Sequence, residues 1–286
     1  MNITENAVSN FIHKKLVYKP NTYPQSLNTS LPRNYFVSLF IGSRGTGKTY
    51  SICQLLNQYE LAGFDGKQAM RVIVFSPTHD ANPVFNCLKI HPDDIIGNYS
   101  DSKLLAVIED IKTEKENTEE YKKQLKVWTK FFNGKIDALT FDEIDFLERT
   151  AYQRPTCKYP NGVVNYMVLD DLVGSSAFKS VGKSALTNLV LKNRHLGINI
   201  MICSQNLKAI TKSIRANTSL FVLFKFASTK ILLDLHDEVS STLTLQKFEK
   251  LYLHATQDEH DSLVIDFTGD KLNRFKKNFD IVLNLQ

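Results

Sequence analysis

Cysteine is scarce in this chain, tryptophan scarcer, and long apolar runs are missing. Only Cys53, Cys87, Cys157 and Cys203 occur. No two of them form a C-x-x-C pair, and none has a histidine at ligand spacing. That argues against a zinc site and against a disulfide frame, and the four read as reduced thiols of an intracellular protein. No apolar stretch approaches the ~18 residues that a membrane-spanning helix needs, so no membrane span is expected. The polar opening, residues 1–9, has no secretory-leader pattern. Nor is there a large excess of one charge: 35 Lys and Arg stand against 30 Asp and Glu, a net +5. Such mild basicity is compatible with a nucleic-acid partner without requiring one. At 43% hydrophobic and 23% charged, the 286 residues have core material for one large soluble domain, or one domain with an insertion.

What is present is Gly42-Ser43-Arg44-Gly45-Thr46-Gly47-Lys48-Thr49, which satisfies G-x-x-x-x-G-K-[ST] at every fixed position. Residues 35–41 before it are apolar or aromatic at nearly every position and read as a buried strand. Behind it, Ile52, Leu55 and Leu56 recur at helical spacing. Strand, glycine loop and helix are the order that phosphate binding requires. Glycines let backbone N–H groups close around a polyphosphate, and the helix N-terminus adds its positive dipole. Gly42 to Thr49, with Tyr50 just behind, are therefore the expected nucleotide-binding residues. Lys48 would reach the β- and γ-phosphates of ATP, and the Thr49 hydroxyl would ligate Mg²⁺.

Ahead of the loop, residues 1–33 carry Lys14, Lys15, Lys19 and Arg33 among Pro20, Pro24 and Pro32, and read as an extended arm. After the first helix, 70–75 form a second buried strand, so the pair makes a βαβ unit with a right-handed crossover and a parallel sheet. Residues 93–162 read as a helical elaboration of the core. Asp101 or Ser102 caps a helix through Leu104, Leu105, Ile108 and Ile111. Asp142, Glu143 and Asp145 are read as a solvated helix face. Further strands are expected at 163–169, 198–204, 220–226 and 262–267, with one helix at about 231–253. The fold class that follows is α/β, a P-loop NTPase of the ASCE/RecA-like kind with a mainly parallel sheet and a helical insertion.

Strand 163–169 ends in Asp170-Asp171. An apolar strand with acids at its C-terminal end, downstream of a phosphate loop, is the Walker-B pattern. Asp170 would hold Mg²⁺ opposite Thr49, and Asp171 would accept a proton from the attacking water. Gln205 closes strand 198–204, where a carboxamide can donate to the γ-phosphate and orient that water. The Gly/Ser-rich stretch 174–184 carries Lys179 and Lys183 and reads as a solvated loop, with contact to DNA as the sharper alternative.

Together these residues resemble the FtsK–HerA superfamily of P-loop ATPases, and most of all the poxvirus-type genome-packaging ATPases. The similarity runs from about Tyr35 to the C-terminus. The order Arg194-His195, Gln205 and Ile214-Arg215-Ala216-Asn217 carries most of it. The resemblance implies an ATP hydrolase that moves double-stranded DNA into a capsid. It also implies a homo-oligomeric ring whose ATP sites lie between subunits, docked on capsid or portal-vertex proteins, in the host cytoplasm, at the viral assembly site or in the virion. An arginine reaching across each interface is implied as well, and Arg194 and Arg215 are the candidates. Many members have Asp-Glu where this chain has Asp170-Asp171, so the acid at 171 is shorter. A helicase or DNA-transfer ATPase of a mobile element, or a nucleotide-switched scaffold protein, are the alternatives.

Overall fold

The computed structural model describes residues 23–79, 82–172, 175–178, 184–226, 230–239 and 243–284. Most of the expected arm, and Lys179 and Lys183 of the glycine-serine stretch, lie outside them.

The order of elements is β1 (Val37–Ile41), α1 (Lys48–Ala62), β2 (Ala69–Phe75), β3 (Ile95–Ile96), α2 (Asp101–Phe132), α3 (Phe141–Arg149), β4 (Val163–Leu169), α4 (Ala185–Leu196), β5 (Ile198–Ser204), α5 (Lys212–Ala216), β6 (Leu220–Phe224), α6 (Lys230–Val239), α7 (Leu245–Ala255), β7 (Ser262–Asp266), β8 (Phe275–Lys277) and β9 (Ile281–Val282). Among the described residues nine strands join one sheet in the order β3-β2-β4-β5-β1-β6-β7-β8-β9. From β3 to β6 every pairing is parallel. From β6 to β9 every pairing is antiparallel. One strand, β5, separates the phosphate-loop strand β1 from the acid-bearing strand β4. The fold is thus α/β with a mostly parallel central sheet, as expected.

Helices cover both faces, which is why the parallel strands read as nearly continuous apolar runs. Alternate residues still part to opposite sides. Val37, Leu39 and Ile41 join Met167, Leu169 and Ile202 beneath α2, α4 and α7. Phe36 and Phe40 join Tyr166, Val168 and Met201 beneath α1. At 32 residues, α2 is about 48 Å long at 1.5 Å per residue, and only its first half packs on the sheet. Arg71 of β2 fixes that half, pairing with Asp94 at 2.7 Å and with Asp110 of α2 at 2.6 Å. Among the described residues no helix is long and apolar enough to cross a membrane.

Three local expectations need correction. The cap of α2 is Ser100, whose hydroxyl accepts from the Lys103 N–H, one residue ahead of the two proposed. The stretch read as one helix at 231–253 is two, α6 and α7, the second capped by the Thr244 side chain. The first strand begins at Val37, because Tyr35 is held in a left-handed conformation at φ 67°. There its N–H donates to the Asn199 side chain at 2.6 Å instead of to a neighbouring strand.

Candidate nucleotide-binding site

The loop between β1 and α1 follows the reading of its sequence. Gly45 and Gly47 both have left-handed backbone, φ 80° and 90°, which favours glycine. Gly42 is required for a different reason: a Cβ there would lie 2.6 Å from the Phe224 Cβ, so only a bare backbone passes β6. Lys48 begins α1 and curls back, its Nζ donating to the carbonyls of Gly42 at 3.0 Å and Ser43 at 2.7 Å. Burial pulls its pKa below the usual lysine value, against the pull of the nearby carboxylates. Its ammonium therefore rests on loop carbonyls, in the loop whose N–H groups would surround an anion. Arg44 is exposed at the loop's tip. Tyr50 is exposed as well, its hydroxyl accepting from Gln54 at 2.8 Å.

The register of β4 carries the acids to the same end of the sheet. Thr49 Oγ1 donates to Asp170 Oδ2 at 3.0 Å, joining the loop to a strand 121 positions away. Asp170 is 5% exposed. Burial pushes its carboxyl above the ordinary value, while hydrogen bonds from the Cys203 thiol and Thr49 oppose the rise. Asp171 follows in a left-handed conformation, φ 52°, and is exposed. Gln205 stands one strand over, at the end of β5. A cavity of about 330 Å³ is lined by Arg44, Lys48, Thr49, Asp170, Asp171 and Gln205 together. A larger hollow, about 700 Å³, lies at the opposite end of the sheet and contains none of these residues. Open α/β sheets take ligands at the carboxyl ends of their strands, so the smaller cavity is the candidate site.

The two arginines are elsewhere. Arg194 is exposed on the last turn of α4, just before β5 begins, and lines the large hollow. The seven residues of β5 place it roughly 20 Å from Gln205 at ~3.3 Å per residue. Among the described residues Arg194 has no ion-pair partner. Arg215, by contrast, is engaged: its guanidinium pairs with Glu238 of α6 and donates to the Ile210 carbonyl at 3.1 Å. Lys208 is likewise matched, by Asp234 at 2.9 Å. The basic run near the end of the chain is used internally too, Lys276 on the Ser30 carbonyl at 2.9 Å and Lys277 on Asp261 at 2.6 Å.

Sequence reading missed several residues of the site. Thr78 and Asn82, in the turns after β2, complete the wall of the cavity. No signal in the sequence pointed to them: it is the pairing of β2 with β4 that brings its trailing turn to the acids. Cys203 was read as an ordinary thiol, yet it lines the cavity with Asp170, and burial holds its pKa well above the usual thiol value. His260, packed on the phosphate loop, had no sequence signal at all.

Fold and site together define a P-loop α/β domain of the kind with one strand between the loop strand and the acid-bearing strand. No family model matches the sequence, and no curated protein is significantly similar to it. Solved structures that resemble it include the DNA-packaging ATPase B204 of Sulfolobus turreted icosahedral virus, 14% identical with a TM-score of 0.45 over 82% of this chain and 93% of that one. B204 of Sulfolobus turreted icosahedral virus 2 with AMPPCP is 12% identical, TM-score 0.46, over 85% and 96%. EssC (ATPases 2 and 3) of Geobacillus thermodenitrificans is 15% identical, TM-score 0.45, over 82% of this chain and 38% of that one. At such identities and scores the likenesses carry no weight beyond themselves; fold and site stand on the geometry above.

Proposed function

We propose that this chain hydrolyses ATP and couples the hydrolysis to movement of double-stranded DNA, as a genome-packaging motor of the FtsK–HerA type. The observation that carries the hydrolysis is the Thr49 hydroxyl on the Asp170 carboxylate at 3.0 Å, at the mouth of one cavity shared with Lys48, Asp171 and Gln205. The DNA-moving part rests on the order of Arg194-His195, Gln205 and Ile214-Arg215-Ala216-Asn217 along the sequence.

Thr49 and Asp170 suit Mg²⁺, which prefers a hydroxyl, a carboxylate and phosphate oxygens to an all-protein cage. When bound, the ion neutralises charge on the β- and γ-phosphates. Lys48 leaves its loop carbonyls for the incoming phosphates and stabilises the charge that develops on transfer. Asp171 accepts the proton of the attacking water, and Gln205 holds that water in line. Loss of the γ-phosphate releases Gln205 and its neighbours, the kind of order change that moves attached loops. In this reading residues 34–286 are the motor domain, 93–162 its helical insertion and 1–33 an arm. Protomers form a ring in which Arg194 of one faces the phosphates of the next, at a viral assembly site with capsid proteins as partners.

The test is turnover with and without duplex DNA. ATPase activity rises with duplex of any sequence, and the rise fades between about 50 and 200 mM salt, since phosphate contacts are lost to counterions. Nucleotide binding without turnover in the presence of DNA would favour the scaffold alternative. Strand separation on a fork would favour the helicase.

A further inference from the structure

The order of the strands gives a bound nucleotide a direction. Asp170 follows β4 and Gln205 follows β5, and both strands lie on one side of β1. The terminal phosphate belongs on that side, where these two groups can act on it. With its phosphates over the first turn of α1, the nucleotide's other end leaves on the far side of β1, above β6 and β7.

That is where the loop between α7 and β7 brings His260 onto the phosphate loop. A Cβ added at Gly47 would lie 3.5 Å from both the Cβ and the Nδ1 of His260. The residue is exposed to solvent. Its backbone is left-handed, φ 72°, an uncommon state for a residue with a side chain. The loop is tethered from two sides. Lys225, just past β6, donates to the Gln257 carbonyl at 3.4 Å. Lys277 of β8 pairs with Asp261 at 2.6 Å and Asp258 at 3.5 Å. A flat ring is thus held in place beside the phosphate loop, on the side away from the hydrolytic groups.

We propose that His260 is the contact for the nucleoside of the bound triphosphate, its imidazole face stacking on the base. This rests on the reading that the loop at 42–49 holds a nucleotide. Stacking is tolerant of base identity because every base has a π-face, so His260 separates nucleotide from bare polyphosphate rather than one purine from another.

Calorimetric titration of the full chain with ATPγS and with inorganic tripolyphosphate, both with Mg²⁺, tests this. His260→Ala weakens ATPγS by about tenfold, the scale of one lost base stack, and leaves tripolyphosphate within about twofold. His260→Phe, which keeps a flat ring, restores ATPγS binding. Equal weakening of both ligands in His260→Ala, or of neither, overturns the assignment. So does a wild-type protein that binds the two ligands equally well. A wild-type protein that binds neither removes the phosphate-loop reading itself, and the inference falls with it.

Discussion

Where the parallel strands begin, Asn199 accepts from the Tyr35 and Phe36 N–H groups at 2.6 and 3.3 Å and donates to the Asn165 carbonyl at 3.3 Å. Asn193 donates to the carbonyls of Tyr35 and Ile198 at 2.9 and 3.1 Å, and the Tyr166 hydroxyl donates to Asn34 at 2.7 Å. Where the same strands end, Lys48 leans on two loop carbonyls, Asp170 is buried at a cost to its charged form, and Asp171 and Gln205 face solvent. Both ends are rich in polar side chains. At the first they serve the chain's own backbone, which is how buried polar groups stabilise. At the second, Asp171 and Gln205 stand exposed beside Lys48 and Asp170 in one cavity, and a ligand with phosphates and a metal ion would draw on all four. On the proposed function, stability and catalysis belong to opposite ends of one sheet.

The contrast predicts a double dissociation. Lys48→Ala removes the main cation of the site, so turnover falls by at least roughly 10²–10³-fold. The melting temperature barely moves, because burial already disfavours the lysine's charge. Asn199→Ala does the reverse. It leaves the Tyr35 and Phe36 N–H groups buried without an acceptor, at about 2–3 kcal/mol, or roughly 2–4 °C in melting temperature per kcal/mol at this size. The turnover of the protein that remains folded is unchanged. Thermal melts and steady-state rates on both variants decide it; loss of turnover without loss of stability in Asn199→Ala would join the two ends functionally.

Arg194 is the exception on the quiet end, an exposed cation that serves no backbone group among the described residues. Roughly 20 Å from Gln205 along β5, it fits the proposed role only by reaching the site of a neighbouring copy. Arg194→Ala alone is inactive on this view, since such an arginine is worth ~10³–10⁵ in turnover. Mixing it with inactive Lys48→Ala protein recovers activity, because about one interface in four of a random equal mixture then has both an intact lysine and an intact arginine. Mixed rings without recovered turnover would return Arg194 to the structural end. Arg215 is a poorer candidate than the sequence suggested, because Glu238 already holds it.

The strands were legible because both faces of the sheet are buried. Runs such as Val163-Val164-Asn165-Tyr166-Met167-Val168-Leu169 need no alternation to be recognised. The phosphate loop and Asp170-Asp171 were legible because their chemistry requires fixed residues at fixed spacing next to a strand. Strand order was not, since nothing in β1 or β5 alone says that they pair. Missing too were the pairings that neutralise Lys208, Arg215 and Lys277, which depend on α6 and on the turn before β7. Charge read along a sequence is only half of an ion pair. His260 failed for the same reason: it meets Gly47 through the antiparallel pairing of β6 with β7.

The smallest effect lies at Asp171, where the active end carries backbone strain. At φ 52° its backbone occupies the left-handed region, which costs an L-residue roughly 1–2 kcal/mol, less for aspartate. Glycine has no such penalty but loses more entropy on folding, by about 0.4–1 kcal/mol. The balance favours Asp171→Gly by about 0.5 kcal/mol, or about 1–2 °C in melting temperature at this chain length. Asp171 accepts no hydrogen bond from any described residue, so its removal leaves no buried donor stranded. The same change deletes the base proposed for hydrolysis. The variant therefore melts slightly higher, still binds ATPγS through Lys48 and Asp170, and turns over poorly. A destabilised Asp171→Gly protein would mean that the carboxylate supports the fold, and that this end of the sheet is less specialised for its ligand than the hydrogen bonds at the two ends imply.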